Sequence, residues 1–152
     1  MTDSLKSQMP GNNFIAANKL QDNHTAISGK LEMLEKLLEK FRSQQCLLFS
    51  YSTVTLDIIE KFIQSTGRYS GGYLRLDGGT NTANRDKLVK KFQSDKTQKI
   101  FLISTKAGGM GLNLTSASKV IIYDVNWNPS YDEQAMDRAF RIGQKKNVHV
   151  YR

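Results

Sequence analysis

The residues best suited to chemistry are a glutamine and two arginines in the segment QAMDRAFRIGQ, namely Gln134, Arg138 and Arg141. On an ideal helix, which turns about 100° per residue, these three side chains fall within an arc of about 60°. A guanidinium group can donate two parallel hydrogen bonds to a phosphate, whereas lysine serves an ordinary soluble surface equally well. The segment therefore predicts a phosphate-directed face, and an ion pair from Asp137 to Arg141 would instead indicate a solvated helix surface.

Local signals predict that this segment is a single helix over about residues 131–142. Ser130 and Glu133 have the spacing of a capping box, and Gly143 is typical of the position just after a helix end. The side of the helix opposite the arginines is apolar and is predicted to face the core. Its residues are Ala135, Met136, Ala139, Phe140 and Ile142.

Two glycine-rich turns follow apolar runs and form a second candidate site. They are LDGGT at Leu76–Thr80 and STKAGGMGLN at Ser104–Asn113. Glycines let backbone amides approach an oxyanion closely, and Thr105 and Lys106 add a hydroxyl and a cation. These turns predict contacts to phosphate, although glycine-rich loops also occur simply because strands must turn.

The sequence argues against two familiar kinds of nucleotide and metal site. A Walker A loop is absent, because Gly29–Lys30 is followed by leucine rather than serine or threonine. Asp132–Glu133 follows Asn-Pro-Ser-Tyr rather than an apolar strand, so it is not interpreted as a metal-binding pair. Asp124 ends the run VIIYD, and without a Walker A loop it is predicted to fix the next turn. No metal ligand is predicted.

Charge and composition predict a globular domain with a polyanionic partner. The 152 residues are 39% hydrophobic, enough for a core, and carry a formal net charge of +8. Residues 1–29 are electrically balanced, so the surplus lies on residues 30–152. It favours nucleic acid over a membrane because no basic amphipathic helix stands out and no apolar run could cross a bilayer. The lone Cys46 is predicted to be a buried filler in a reducing intracellular compartment.

The order of elements predicts a three-layer α/β domain after a polar tail. Residues 1–29 are expected to be a flexible tail or linker, and residues 30–43 an amphipathic helix. Five short apolar runs are predicted strands, with helices near 53–66 and 82–94 between them. The runs are Leu47–Phe49, Tyr73–Leu76, Ile100–Ile103, Val120–Tyr123 and Val148–Tyr151. Strands that are apolar on both faces indicate a mainly parallel sheet, whose ligands gather at the carboxyl ends of the strands.

Several motifs in this order resemble the second RecA-like lobe of the Snf2-type, superfamily 2 DNA translocases, over residues 28–152. The motifs are Ser28–Leu31, Leu48–Tyr51, Arg75–Gly78, Ser104–Asn113, Trp127–Pro129 and Gln134–Gln144. WNP followed by QAxxRxxRxGQ is the most specific part, because it separates Snf2-like proteins from other helicases. Phe140 stands where the family often has histidine, and Gly79 where serine is common. The strings LFSYS and AGGMGLN slightly favour repair and recombination relatives.

The resemblance implies a role for each candidate residue. Arg138 and Arg141 would be arginine fingers that reach the γ-phosphate of ATP held on the other lobe, with Gln134 beside them. Residues of the second turn would lie near the nucleotide, and these are Gly109, Gly111 and Asn113. Contacts to DNA phosphates would come from Ser50, Thr80, Thr105 and Lys106. Trp127 would lie against the minor groove, unless it is an anchor in the core.

The resemblance also implies the cofactor and the partners. ATP with magnesium would be held mainly by a first lobe, whose Walker A loop these 152 residues lack. The track would be double-stranded DNA in the nucleus, with nucleosomal DNA as one of its forms and no membrane involved. Residues 30–152 are expected to be the C-terminal lobe of a DNA-dependent ATPase, truncated at its C-terminus and inactive alone. The alternative is a stand-alone nucleic-acid-binding or regulatory module, which a flanking Walker A loop and Asp-Glu box would rule out.

Overall fold

A computed structural model of the chain describes residues 28–69, 72–108 and 111–152. Residues 1–27 of the predicted tail lie outside these ranges. The chain divides into two compact units, Met1–Glu35 and Lys36–Arg152. In the first unit the described residues form the start of a helix, and the second unit contains the whole sheet.

The described elements alternate between helix and strand along the chain. The helices are α1 (Gly29–Lys40), α2 (Thr53–Ser65), α3 (Thr82–Ser94), α4 (Thr105–Gly108) and α5 (Pro129–Met136). The strands are β1 (Cys46–Ser50), β2 (Tyr73–Leu76), β3 (Ile100–Ser104), β4 (Lys119–Ile122) and β5 (His149–Tyr151). None of these helices is long and apolar enough to cross a membrane.

All five strands belong to one parallel sheet in the order β2-β3-β1-β4-β5. In the register of the central strands, Ser50 pairs with Ser104. Because the strands are parallel, each connection between them leaves the sheet and returns to its other end before the next strand begins. The predicted α/β domain with a mainly parallel sheet is therefore confirmed.

The core explains why the central strands are apolar at every position. Every residue of β1 and of β3 is buried. Leu47 and Phe49 belong to a cluster with Phe92 of α3 and Ala135 of α5, and the intervening Leu48 points to the opposite face. Helix α2 contacts both central strands and buries Leu56, Ile59, Phe62 and Ile63. A strand covered on both faces has no position for a polar side chain, except at its end.

Helices α2 and α3 begin where the sequence predicts, because a polar side chain caps each of them. Ser52 accepts a hydrogen bond from the amide of Thr55 at 3.3 Å, and Asn81 accepts one from the amide of Asn84 at 2.8 Å. These bonds satisfy amides that have no partner in the first helical turn. Both caps place their helices directly after the carboxyl end of a strand.

The predicted helix over 131–142 is wrong at both ends. Asn128, not Ser130, is the N-cap, and its side chain accepts a hydrogen bond from the Ser130 amide at 3.1 Å. Helix α5 ends at Met136, and turns follow. The carbonyls of Arg138 and Ala139 accept hydrogen bonds from Leu114 and Gln144, at 3.1 and 3.2 Å. The distant Leu114 and the nearby Gln144 therefore take two carbonyls that a longer helix would have used, while turn bonds such as that from the Phe140 amide to the Met136 carbonyl continue locally.

The early end of α5 changes which side chains are buried. Ala135 and Ala139 are buried and Met136 packs on the core cluster, as predicted. Phe140 and Ile142 were predicted to face the core, but they are 73% and 99% exposed. The common arc of the glutamine and the two arginines does not exist either, because only the glutamine lies within the helix.

Cys46 occupies the start of β1 as a buried thiol, as predicted. Burial raises its pKa to about 12, and the positive charge of Lys119 lowers it by less. The side chain is therefore neutral and behaves as a small apolar group.

Candidate functional site

The parallel sheet brings the candidate residues to one edge. Strands β1, β3 and β4 end side by side, so that Ser50, Thr105 and Asp124 come directly at or after neighbouring carboxyl ends. Strand β2 ends next to β3, which places the LDGGT turn beside them. This edge is where open parallel sheets bind ligands.

Ser50 is held inside this edge. Its side chain is fully buried, and its hydroxyl donates to a carboxylate oxygen of Asp124 at 2.6 Å. The Ser50 hydroxyl oxygen also lies 3.1 Å from the Ser52 carbonyl oxygen and accepts a hydrogen bond from the Ser52 amide at 3.2 Å. Asp124 thus links the ends of β1 and β4. A direct contact of this hydroxyl with DNA would require it to leave these bonds.

The LDGGT turn is fixed from both sides and leaves Thr80 half-buried. Asp77 accepts a hydrogen bond from the Gly79 amide at 3.0 Å, and the Thr80 hydroxyl oxygen accepts from the Asp77 amide at 3.2 Å. Arg85 donates to the Thr80 carbonyl at 2.8 Å. Because the Thr80 hydroxyl acts as an acceptor here, its own proton remains available to a phosphate oxygen.

Arg75 anchors the same turn to the body of the domain. Its guanidinium lies 2.6 Å from Asp57, 2.7 Å from Glu60 and 3.0 Å from Asp77. Burial alone would lower the pKa of Arg75, but its hydrogen bonds to the three carboxylates outweigh burial and raise it. This cluster was not predicted from sequence, because two of the three acids lie on α2, more than ten residues before Arg75.

The segment predicted as the second glycine-rich turn begins instead as helix α4, so that part of the prediction is wrong. Its first residues, Thr105 and Lys106, differ in accessibility. Thr105 is buried, whereas Lys106 is exposed. The ammonium of Lys106 lies 5.0 Å from the centre of the Tyr51 ring, within the range of a cation–π contact. Sequence analysis missed Tyr51 as a site residue. The available signal was that it follows Ser50 at the end of the neighbouring strand.

The two arginines meet the glycine-rich turn through direct hydrogen bonds. Arg141 donates from Nη1 to the carbonyl of Gly111 at 3.1 Å, and Leu114 donates its amide to the carbonyl of Arg138 at 3.1 Å. Gly111 has a φ of +70°, which glycine adopts without strain. Among the described residues no ion pair joins Asp137 to Arg141, so the solvated-surface alternative lacks its expected contact.

Arg138 differs from Arg141 in its surroundings. Its Nε atom is buried and has no hydrogen-bond partner in the described part of the chain. Leaving such a donor unpaired costs about 1–3 kcal/mol, so the arrangement suits an acceptor supplied from outside. Gln134 is exposed on α5, and among the described residues no hydrogen bond joins it to either arginine.

The arginines lie along an open groove of about 840 Å³. Its walls are formed by Asp137, Arg138, Phe140, Arg141, Ile142, Gly143, Gln144, Lys145, Lys146 and Asn147. Gln144 holds the groove in shape, because its side-chain amide donates to the carbonyls of Ala117 and Ala139 at 2.8 and 3.2 Å. Sequence analysis did not assign Gln144 a role, although it ends the QAMDRAFRIGQ motif.

The remaining predicted residues form no hydrogen bond with the two arginines in the described part of the chain, or fall outside it. Gly109 falls outside the described residues. Asn113 is exposed, and its carbonyl accepts from Gln93 at 2.7 Å. Trp127 is 89% exposed, so its alternative as a core anchor is wrong. Asp132 is buried, and its carboxylate accepts from the Asn126 amide and from Arg152, at 3.3 and 3.1 Å.

Comparison with known proteins identifies the domain. Residues 29–143 match the family described as the helicase conserved C-terminal domain. The chain belongs to this family. As a helicase C-terminal domain it is similar to Switch 2 of Arabidopsis thaliana, at 54% identity over 126 residues. It is also similar to the DNA excision repair protein ERCC-6 of Mus musculus, at 48% identity over 134 residues, and to Helicase swr1 of Schizosaccharomyces pombe, at 45% over 126.

The helicase C-terminal domain is a small part of these relatives. The matches cover 82%, 87% and 82% of this chain but 14%, 9% and 10% of the relatives. A crystal structure of the C-terminal part of the Fun30 ATPase domain is 42% identical, with a TM-score of 0.81, over 93% of this chain and 46% of that one. Together these matches confirm a RecA-like second lobe of the Snf2 type.

Proposed function

We propose that this domain is the C-terminal motor lobe of a DNA-dependent ATPase that translocates along double-stranded DNA. The observation that carries the proposal is the joining of Arg138 and Arg141 to the glycine-rich turn at Gly111–Leu114. One groove thereby contains two guanidinium groups, and the edge beside it exposes a cation, Lys106. A motor needs such proximity, because phosphoryl transfer must be linked to a grip on the track.

The donor set of the groove fits ATP better than it fits a metal ion. Guanidinium groups bind phosphate oxygens, and the unpaired Nε of Arg138 provides a donor for such an acceptor. The described residues contain no group of three or more side chains able to hold a metal. We therefore assign ATP with magnesium mainly to a first lobe, which would also contribute the Walker A lysine.

Arg138 and Arg141 are assigned the role of arginine fingers, with Gln134 as a neighbouring positioning group. Bound ATP with magnesium supplies the γ-phosphoryl group that water attacks. The arginines stabilise the negative charge that grows on the phosphoryl oxygens, and this contribution is typically about 10³–10⁵ in rate. Gly109, Gly111 and Asn113 are assigned to the nucleotide side of the cleft.

The edge formed by the strand ends is assigned to the DNA backbone. Lys106 and Thr80 offer an ammonium and a hydroxyl proton to phosphate oxygens. The side chains of Ser50 and Thr105 are buried. We therefore assign them contacts to DNA through their backbone groups, or through their hydroxyls once these side chains have moved to the surface. Trp127 is exposed and can insert into a minor groove. Most contacts would be to phosphate, which predicts strong salt dependence and little sequence preference.

The names of the relatives support a role in DNA metabolism. One relative, from Plasmodium falciparum, is named a probable ATP-dependent helicase, and ERCC-6 is named a DNA excision repair protein. We extend from these names to a nuclear protein that works on DNA, with nucleosomal DNA among its tracks. The other partner is the first lobe, which faces the groove of the two arginines.

Hydrolysis of ATP with and without DNA tests the proposal. The chain alone should hydrolyse no ATP, and the protein with both lobes should do so faster when duplex DNA is present. Replacement of Lys106 by alanine should reduce the DNA-stimulated rate more than the basal rate, since its ammonium faces the DNA rather than the nucleotide. Equal loss of both rates would contradict the DNA assignment. DNA binding without stimulated hydrolysis in the two-lobe protein would favour the non-catalytic module.

A further inference from the structure

A second groove lies beside the LDGGT turn and along helix α3. It has a volume of about 620 Å³ and is separate from the groove of the two arginines. Its walls are formed by Arg75, Asp77, Gly79, Thr80, Asn81, Asn84, Lys87, Leu88 and Lys91. We call it the lysine groove. Of the residues in its wall, only Thr80 belongs to the proposed DNA contact.

Helix α3 presents a basic face to this groove. Asn84, Lys87 and Lys91 follow at intervals of three and four residues, so they lie on one side of the helix. Both lysines are exposed, and no described residue forms an ion pair or a hydrogen bond with either ammonium. Two positive charges about 6 Å apart along the helix axis repel each other and favour an anionic ligand.

Acidic residues near the groove leave this basic face uncovered. Asp77 lines the groove, but its carboxylate is bound to Arg75 and to the amide of Gly79. Asp57 and Glu60 also bind Arg75 and form no part of the groove wall. Asp95 lies one turn beyond Lys91 and the two charges attract each other, but the stronger influences on its carboxylate are hydrogen bonds from Thr97 and Gln98, which hold it away from the groove wall.

We propose that the lysine groove binds the sugar-phosphate backbone of DNA and extends the contact that Thr80 begins. This inference rests on the proposed function and adds two phosphate contacts to it. Each strand of duplex DNA carries one charge per about 3.4 Å of helix axis, so lysines about 6 Å apart can each neutralise a different phosphate. The side-chain amide of Asn84 adds a neutral donor between the turn and the lysines. No pattern of base-reading side chains is present in the wall, so binding is independent of sequence.

The composition of the wall favours DNA over an acidic polypeptide. Leu88 is the only apolar side chain among its nine residues. Grooves that bind peptides combine charge with apolar pockets for alternate side chains, and this wall offers a single apolar position. A backbone of phosphates and sugars needs no such pocket.

The test compares two double variants of the chain that lose the same charge. One carries Lys87→Gln and Lys91→Gln in the groove, and the matched control carries Lys61→Gln and Lys90→Gln, which are exposed lysines on α2 and α3 outside the wall. Affinity for a short duplex of mixed sequence is measured across a series of salt concentrations, and thermal melting checks the fold. In the groove variant the slope of log affinity against log salt should fall by about 2, or one for each lost phosphate contact.

The control variant should keep most of the original slope, and Lys87→Arg with Lys91→Arg should restore it because the charge returns. Equal slopes in the groove and control variants would overturn the inference. If Lys106→Gln weakens binding while the groove variant does not, the inference fails and the proposed function stands. If no variant and no parent chain binds duplex DNA, both fail. Polyglutamate that displaces duplex DNA at equal charge concentration would also overturn it, in favour of an acidic polypeptide.

Discussion

Replacement of Arg141 by alanine separates an arginine finger from a merely structural arginine. The structure gives Arg141 one hydrogen bond, 3.1 Å long, from an exposed guanidinium to the carbonyl of Gly111. An exposed bond of this kind contributes about 0.5–1 kcal/mol to folding. For a domain of this size the variant should therefore melt about 1–4 °C lower.

The expected loss of catalysis is much larger than this loss of stability. A finger contributes about 10³–10⁵ in rate, and each factor of ten corresponds to about 1.4 kcal/mol, so the barrier should rise by at least about 4 kcal/mol. Arg141→Lys should recover little activity, because lysine keeps the charge but loses the planar pair of donors. Binding of nucleotide and of DNA should change little, since the finger acts on charge that develops in the transition state.

The assay is DNA-stimulated ATP hydrolysis by the protein with both lobes, together with its melting temperature. Lys61→Ala is the control, because Lys61 is an exposed lysine on α2 outside the groove wall. The control should keep nearly normal turnover. Turnover within a factor of about five of normal in Arg141→Ala, with the small expected fall in melting temperature, would show that this arginine only supports the Gly111 turn.

Three further changes test other parts of the structure. Tyr51→Leu should weaken duplex DNA binding by about two- to fivefold through loss of the contact with Lys106, while Tyr51→Phe should not. A double-mutant cycle with Lys106→Gln measures the coupling between the two side chains, and additive effects on binding would contradict the contact. Gln144→Leu removes the side-chain donor to the carbonyls of Ala117 and Ala139 and should lower the free energy of unfolding, measured by urea titration, by about 1–3 kcal/mol. An unchanged urea midpoint would contradict the view that Gln144 holds the groove in shape. Cys46 has its pKa raised from 9.0 to about 12 in the folded chain, so the neutral thiol is favoured by folding. Its contribution to stability should be fully present below pH 9 and decline as pH rises from 9 towards 12, and a Cys46→Ala chain with the same steep decline would contradict this.

The fold could be predicted from sequence because its strongest signals are local and agree with each other. The run from Leu47 to Phe49 is apolar at successive positions, which only a strand covered on both faces explains. Ser52 and Asn81 then mark the starts of the following helices. Each signal points to the same alternation of strand and helix, so an error in one would have been corrected by the others.

The end of helix α5 could not be predicted in the same way. Helix-favouring residues continue to Phe140, and Gly143 offers a suitable stop. One of the bonds beyond the helix end comes from Leu114, and nothing in the spacing of the local sequence reports a donor more than 20 residues away. The prediction of Phe140 as a core residue failed for the same reason, since it assumed that the helical period continued.

The candidate site shows a similar limit. The residue types of Arg138, Arg141 and Lys106 were sufficient to predict phosphate chemistry. Their arrangement depends on contacts between distant segments, such as the bond from Arg141 to Gly111 and the position of Lys106 over Tyr51. Sequence therefore names candidate groups, whose action stays a prediction, and the structure shows which of them contact one another.

The loop from Thr105 to Leu114 has a thermodynamic consequence, because it begins at the proposed DNA contact and ends at the hydrogen bond to Arg138. If DNA shifts this loop, the affinity of the groove for nucleotide must change by some factor. Linkage then requires nucleotide to change the affinity for DNA by the same factor. A motor built on this segment should have an affinity for DNA that varies through the cycle of ATP hydrolysis. The coupling free energy can be measured either as the effect of nucleotide on DNA affinity or as the effect of DNA on nucleotide affinity.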